Sequence, residues 1–583
     1  MNMQDSGFTN IADTLRQRAQ QNPESIAMRC PGKKGDYPVA LTTGELDSRS
    51  TDIAAGLHRL GLRRGMRCVV MVRPTPEFFL AMFALFRLGA VPVLVDPGID
   101  KRALRQCLAE AQPDAFIGIP LAMFARIVLG WARGVKYRIT TGRSAWFADT
   151  TLAAIERDGK TNPVDFGTTC ADDIAAILFT SGSTGVPKGV VYRHRHFLAQ
   201  IDMLRQAFGI EPGGVDLPTF PPFALFAPAL GLTSIIPDMD PTRPAQANPR
   251  KLHAAIRRFG VTQMFGSPAL MRVLAEHGEP LPGVMRATSA GAPVPPDVVA
   301  KLLQLMPEGG QLWTPYGATE CLPVAVIEGR ELITLRERTE AGAGTCIGRP
   351  VPGNHVRIIA ISDEAIPDWR DVQEVPQGVV GEITVAGPVA TDAYFNRDAQ
   401  TRLAKIRETL TDGTSRIVHR MGDLGYFDSE GRLWFCGRKS QRVVLAAGGT
   451  LCTEQIEPVF NSHPDVARTA LVAVPAQAQP GRLELSQGDT GQLRQQADTP
   501  AGHAACLCVE LRADVSAEQW PRIREELQKI AEGHVHTAHI SHFLHHPGSF
   551  PVDIRHNAKI GREKLGQWAQ GQLSSRRHNG STT

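Results

Sequence analysis

Hydroxyls, glycines and one lysine crowd into residues 177–189, ILFTSGSTGVPKG. An apolar run leads into Thr180, Ser181, Gly182, Ser183, Thr184 and Gly185, and the stretch closes on Pro187, Lys188 and Gly189. Hydroxyls donate to anionic oxygen, glycines let backbone N–H groups turn around an anion, and a lysine adds a point charge, so this composition suits a nucleotide polyphosphate. A Walker A loop needs Ser or Thr directly after its lysine to hold Mg2+. Gly189 follows Lys188 here, and that reading fails.

Taken whole, T-S-G-S-T-G-x-P-K-G resembles the phosphate-loop signature of the adenylate-forming superfamily, which includes acyl-CoA synthetases, peptide-synthetase adenylation domains and beetle luciferases. Further landmarks of that superfamily follow in order. Ala290, Gly291, Ala292 and Pro293 resemble its adenine-binding turn. Tyr316, Gly317, Thr319 and Glu320 resemble its most diagnostic internal motif. That match implies a face for adenine from Tyr316, a hydroxyl for the phosphates from Thr319, and a hard oxygen ligand for Mg2+ from Glu320. Asp423, in MGDLGY, is implied to take the ribose hydroxyls. Arg438, in GRKS, is implied to touch the ribose from a hinge where Lys439 or Ser440 absorbs the rotation of a small C-terminal domain. Lys559, followed by Ile560 and Arg562, matches the lysine that crosses into the active site during adenylation. The sequence departs from the pattern at the hinge, which lacks the usual acidic pair, and at Ala558, where glycine is usual.

The resemblance implies ATP and Mg2+ as cofactors and transfer of AMP to a carboxylate. Like charges must approach, so Lys559, Lys188, Thr184 and Mg2+-bearing Glu320 are the implied catalytic groups. Several details look closest to the β-lactone synthetases of bacterial long-chain olefin biosynthesis: FPPFALFAPALG over 220–231, GRKSQRVV, the Gly448 and Gly449 pair, and DIRHNAKIGREKL. That branch implies a 2-alkyl-3-hydroxyalkanoic acid whose own 3-hydroxyl attacks the adenylated carboxyl. It also implies assembly with a condensing enzyme, a reductase and a lactone decarboxylase. Relatives commonly guard the acyl pocket where Ala224 stands. Phe223, Ala224 and Phe226 are therefore either a core turn or the wall of a widened tunnel for two alkyl arms. His194 and His196 are chemically able to take the hydroxyl proton. Two other readings stand beside this one: a long-chain acyl-CoA synthetase or fatty acyl-AMP ligase, which needs an added acceptor, and a non-catalytic acyl or nucleotide sensor. Retention of Lys188, Glu320, Asp423, Arg438 and Lys559 speaks against the sensor.

Holding such groups takes a sheet with open strand ends. Patterns predict helices at 43–60 and 76–88 and strands at 68–72, 91–95 and 115–119, an alternation that places ligands beyond the strands' carboxyl ends. Further strands are predicted at 261–265 and 284–289 around a helix at 268–277, and the run YRHRH at 192–196 is expected to open a solvated helix. The fold expected is α/β: a large N-terminal domain of α/β subdomains over 1–437, with a β-rich part at about 350–437, followed by a small mobile α+β domain over 438–565. A Gln-rich solvated insertion is predicted at 476–503 and a disordered tail at 566–583.

The chain's 583 residues exceed a single core, and its formal charge of +4 is small for that length. Arginines are scattered without aromatic interleaving, which excludes a nucleic-acid surface. Ten cysteines show no paired framework and the start has no apolar leader, so a cytoplasmic protein is expected. The most apolar stretches, 78–95 and 221–237, are broken by Arg87, Pro92, Pro222 and Pro228, and no spanning helix is predicted. The histidine run from His534 to His546 has no zinc-type spacing.

Overall fold

The helix Thr43–Leu60 is set by its own ends. Thr42 Oγ1 accepts the Glu45 N–H at 3.1 Å while the Glu45 carboxylate accepts the Thr42 N–H at 2.9 Å, and Gly61 at φ +118° stops the helix. Its neighbour Pro76–Leu88 is apolar on every side and is buried on every side from Phe78 onward. Its charges are Glu77 in the first turn and the buried Arg87, which is paired with Asp47 on the helix Thr43–Leu60.

The computed structural model describes residues 7–32, 35–95, 99–180, 187–446, 448–476, 502–551 and 560–580. A seven-stranded sheet lies between these helices and others. From one edge its strands are Thr150–Thr151, Tyr137–Thr140, Ala115–Gly118, Arg67–Met71, Val91–Val95, Ile174–Thr180 and Lys188–Arg193. All neighbours are parallel except the last two, which pair antiparallel with Thr180 opposite Lys188. The phosphate-loop segment therefore joins two paired strand ends at the sheet's carboxyl rim.

A second sheet of 14 strands holds the parallel strands Val215–Pro218, Gln263–Gly266, Arg286–Ser289 and Gln311–Ala318. It continues antiparallel through Cys321–Glu328, Thr345–Pro350, Leu433–Arg438, Ser415–Phe427, Gly381–Ala386 and His355–Ile359. The β-rich region thus extends this sheet by hydrogen bonds. The C-terminal strands Val466–Pro475, His503–Leu511 and Ile540–His545 form a separate three-stranded sheet carrying the helices Thr453–Asn461 and Trp520–Glu532. Pro475 pairs with His503, so the predicted insertion bridges a hairpin; 477–501 lie outside the described residues.

Two expectations are corrected. The tail expected to be disordered from 566 is helical over Arg562–Gly580, because Leu565 and Ala569 bury themselves against Val472, Cys506 and Cys508 on the small sheet. Glycines at 566 and 571 had masked that stripe. The helix expected to be solvated, His194–Phe208, is buried along most of its length, with His194, His196 and Gln200 all inside. Among the described residues no helix is long and apolar enough to cross a membrane.

The two parts of the chain meet at Glu454, whose Oε2 accepts the Thr345 hydroxyl at 2.9 Å. Close approach is specified by Gly437 at φ +130°, where a Cβ would meet Thr453 Oγ1 at 2.3 Å. Burial, helped by nearby Glu457, pushes the Glu454 carboxyl up to about 7. A carboxyl raised on folding stabilises the fold fully below its unfolded pKa, and that contribution is lost as pH climbs from about 4.3 through its folded value. Glu454→Gln is expected to remove this loss, so that its Tm exceeds wild type at pH 8 and converges with it below about pH 4, as read by scanning fluorimetry.

Candidate active site

The strands Gln311–Ala318 and Cys321–Glu328 form a hairpin with Thr319 and Glu320 at its tip. Its closeness depends on Gly317, where a Cβ would meet the Cys321 carbonyl and Leu322 Cδ1 at 2.7 Å. The tip is pinned from several directions. Tyr192 Oη donates to the Thr319 carbonyl, Gln200 Nε2 to the Leu322 carbonyl at 2.9 Å, and both the N–H and hydroxyl of Thr391 to the Glu320 carbonyl at 2.9 Å. One short motif is thereby held as a rigid ridge whose two ends face different partners.

At the first end Tyr316 Oη donates to Asp423 Oδ2 at 2.6 Å, and Arg438 Nη1 lies 2.9 Å from Asp423 Oδ1. Asp423 and Arg438 are register partners on adjacent strands. Burial raises the Asp423 carboxyl, against the lowering pull of Arg438 and the Tyr316 hydroxyl. Burial and the Asp423 charge push the Tyr316 hydroxyl up, while Asp423 raises Arg438. Three separately predicted motifs thus meet around one carboxylate.

At the second end Tyr394 Oη donates to Glu320 Oε1 at 2.6 Å, and Lys188 Nζ sits 4.9 Å from the centroid of the same tyrosine ring. Burial first, then Glu320, raises the Tyr394 hydroxyl. Beneath them Lys405 is buried, donating to the Thr391 carbonyl and, at 3.2 Å, to the Thr391 hydroxyl. Burial lowers its ammonium to about 8, with Glu320 as the chief opposing pull. Neither Tyr394 nor Lys405 was found by sequence reasoning. They lie outside the motifs read in the sequence, and the isolated bridge between Val190 and Tyr394 that brings the segment beside the Lys188 strand joins residues far apart in the chain.

Tyr394→Phe removes one hydrogen bond to a charged group, worth about 1.5–3 kcal/mol. The variant is expected to melt a few degrees lower and, with Glu320 no longer held in place, to lose roughly 10-fold in kcat/KM for ATP, read by scanning fluorimetry and by pyrophosphate release.

The other predicted residues fall as follows. Thr180 ends its strand opposite Lys188. Ser181, Gly182, Ser183, Thr184, Gly185 and Lys559 lie outside the described residues. Ala290, Gly291, Ala292 and Pro293 leave the carboxyl end of Arg286–Ser289 beside the strand that carries Tyr316, with Gly291 at φ +103°. Within the turn Pro221–Phe226, Ala224 is buried in the core, whereas Phe223 packs edge-on to Phe265 at 4.6 Å and Phe226 to Phe197 at 5.9 Å. Phe223 and Phe226 keep part of their surfaces open.

His194 is excluded as a proton acceptor at this centre. It follows the far end of the strand Lys188–Arg193, about 20 Å from Lys188 at the usual rise per residue, and burial lowers it to about 4. His196 accepts the Arg193 N–H through Nδ1 at 3.0 Å as a helix cap, and burial lowers it to about 3. As donors for a divalent cation, the groups present fit Mg2+, which takes one or two carboxylates and completes its shell with water and phosphate. Glu320, held by Tyr394 and near Lys188, offers such a carboxylate.

Comparison with known proteins gives the family. Residues 15–395 match the family model described as AMP-binding enzyme. The chain is 62% identical over 568 residues to an olefin β-lactone synthetase of Xanthomonas campestris pv. campestris, covering 97% of this chain and 98% of that protein. It is 61% identical over 573 residues to an olefin β-lactone synthetase of Stenotrophomonas maltophilia, covering 97% and 99%. Among solved structures, the amide bond synthetase of Marinactinospora thermotolerans shares the fold with a TM-score of 0.72 at 22% identity, over 96% of this chain and 99% of that one. The chain therefore belongs to the AMP-binding enzymes of the adenylate-forming superfamily, in the company of the olefin β-lactone synthetases.

Proposed function

We propose that this enzyme adenylates a long-chain 2-alkyl-3-hydroxyalkanoic acid and closes it to a β-lactone, releasing AMP and pyrophosphate, in olefin biosynthesis. It is an ATP-dependent, AMP-forming ligase. The observation that carries the reading is the two-ended ridge, with Tyr316, Asp423 and Arg438 at one end and Glu320, Tyr394 and Lys188 at the other.

In this reading Asp423 takes the ribose hydroxyls between Tyr316 and Arg438, and the turn from Ala290 to Pro293 borders the adenine. Thr180, Ser181, Gly182, Ser183, Thr184 and Gly185 surround the phosphates, with Gly317 and Thr319 beside them. A substrate carboxylate oxygen bonds to the α-phosphorus while the bond from that phosphorus to pyrophosphate breaks. Lys188 and Lys559 place positive charge where negative charge develops. Mg2+, held by Glu320, supplies Lewis-acid neutralisation of the polyphosphate.

The substrate's 3-hydroxyl oxygen then bonds to the acyl carbon, the acyl–oxygen bond to AMP breaks with the electron pair leaving on the AMP phosphate, and the hydroxyl proton passes to water. The nucleophile is already tethered, which replaces a second encounter by a high effective concentration. Phe223 and Phe226, with Ala224 behind them, are proposed to border the alkyl arms. A cytoplasmic setting and assembly with other enzymes of the pathway complete the proposal; buried, unpaired cysteines support the first.

The test is mass spectrometry of products from enzyme, ATP, Mg2+ and a long-chain 2-alkyl-3-hydroxy acid, with and without coenzyme A. The expected product has the mass of the acid less water and forms without the thiol. A thioester that appears only with coenzyme A would overturn the proposal.

A further inference from the structure

The helix Pro120–Val128 and the loop that follows the strand Tyr137–Thr140 turn large apolar side chains to solvent. Leu121, Phe124 and Val128 recur at helical spacing and are 65%, 49% and 63% exposed, with Ile127 beside them at 51%. Met123 and Arg126 are the buried side of the same helix. From the loop come Trp146 and Phe147, 75% and 48% exposed, and the Phe147 ring meets Phe124 edge-on at 5.6 Å. Phe147 stands at φ +63°, a left-handed conformation that a bulky residue rarely takes. Singly exposed apolar residues are ordinary, but a contiguous group of this kind marks an interaction surface.

The charges say what it meets. From Asp114 to Asp149 the chain has no intervening Asp or Glu, yet it carries Arg126, Arg133, Lys136, Arg138 and Arg143. Arg138 is paired with Asp149 at 2.6 Å, while Arg133, Lys136 and Arg143 are exposed. Protein interfaces disfavour lysine and mix both signs of charge at the rim. A Trp, Phe and Leu wedge in a segment whose unpaired exposed charges are Arg133, Lys136 and Arg143, Asp149 being paired with Arg138, complements an anionic lipid headgroup layer over acyl chains.

We propose that this surface docks the enzyme reversibly on anionic phospholipid membranes. Its place in the fold gives the docking a use. The helix and the loop follow the carboxyl ends of Ala115–Gly118 and Tyr137–Thr140, and the phosphate-loop segment follows the carboxyl end of Ile174–Thr180 in the same parallel array. Three strand spacings separate the nearer pair, about 14 Å. Docking by this edge sets the adenylating rim close to the bilayer surface, where an acid with two long alkyl arms resides. That last benefit rests on the proposed substrate; the docking itself does not.

The experiment is flotation of the full-length enzyme with vesicles of phosphatidylcholine alone or with about one third phosphatidylglycerol, at low and high salt. The expected result is capture by the anionic vesicles only, weakened at high salt. Two variants, Leu121→Ser with Phe124→Ser and Trp146→Ser, and separately Arg133→Glu with Arg143→Glu, are each expected to lose at least about tenfold in capture. Both should keep the wild-type Tm and wild-type pyrophosphate release on a short, water-soluble 3-hydroxy acid, which separates failed docking from failed catalysis. Absence of wild-type capture by either vesicle, or capture that both variants retain, overturns the proposal. So does a result in which the variants lose only a protein partner.

Discussion

Asp423→Ala will lower the melting temperature by several degrees and remove productive use of ATP in the same stroke. The carboxylate is 2% exposed and holds both Tyr316 Oη at 2.6 Å and Arg438 at 2.9 Å. Deleting it leaves a hole beside a guanidinium that is 34% exposed, so the cost falls below the roughly 3–5 kcal/mol of a fully buried pair broken from one side, at about 2–3 kcal/mol. The same carboxylate is the proposed ribose ligand, so nucleotide affinity falls with stability. Asp423→Asn separates the two effects. The amide keeps an acceptor for Tyr316 and fills the space, so its Tm should lie between those of alanine and wild type, while ATP use stays poor. Calorimetry for ATP binding and scanning fluorimetry for Tm decide the matter; an alanine variant with wild-type values in both would show that this cluster neither supports the fold nor touches the nucleotide.

Glu320→Gln should move only one of the two observables. Glutamine is isosteric and its carbonyl still accepts from Tyr394, and the backbone bonds from Thr391 are untouched. The ridge therefore stays in place and Tm should hold. What disappears is the negative charge beside Lys188 and above Lys405 that is proposed to hold Mg2+. Loss of one positioned electrostatic group commonly costs about 10²–10³ in rate, and that is the fall expected in ATP–pyrophosphate exchange. The dependence on Mg2+ should shift to higher concentration as well. An unchanged rate with an unchanged Mg2+ profile would remove Glu320 from the chemistry.

The sequence was most informative where local rules and packing agree. Helices Thr43–Leu60, Pro76–Leu88 and Pro268–His277 and strand Val91–Val95 fall where their caps and apolar patterns place them. Tyr316, Asp423 and Arg438 were legible as types, and the paired strands bring them within hydrogen-bond reach of one another. Tyr394 and Lys405 were illegible: an aromatic among polar residues and a lysine opening a strand have no period and no motif, and only tertiary pairing gives them a neighbour. The His194–Phe208 helix was misread because the polar run 192–196 looks solvated until His196 is seen capping the helix and Arg193 and Arg195 are seen paired with Asp392. The last helix was misread because Leu565 and Ala569, its buried residues among those whose side chains are described, are sparse cues within a polar run.

The pairing of Pro475 with His503 has a practical side. The ladder already holds both ends of that connection, and the closure penalty grows only logarithmically, about 0.6 kcal/mol for each doubling of its length. Segment length there is close to a free variable. It is the position at which natural variants can drift in size, and at which a fluorescent reporter or an affinity tag can be spliced into the enzyme with the least disturbance to either half.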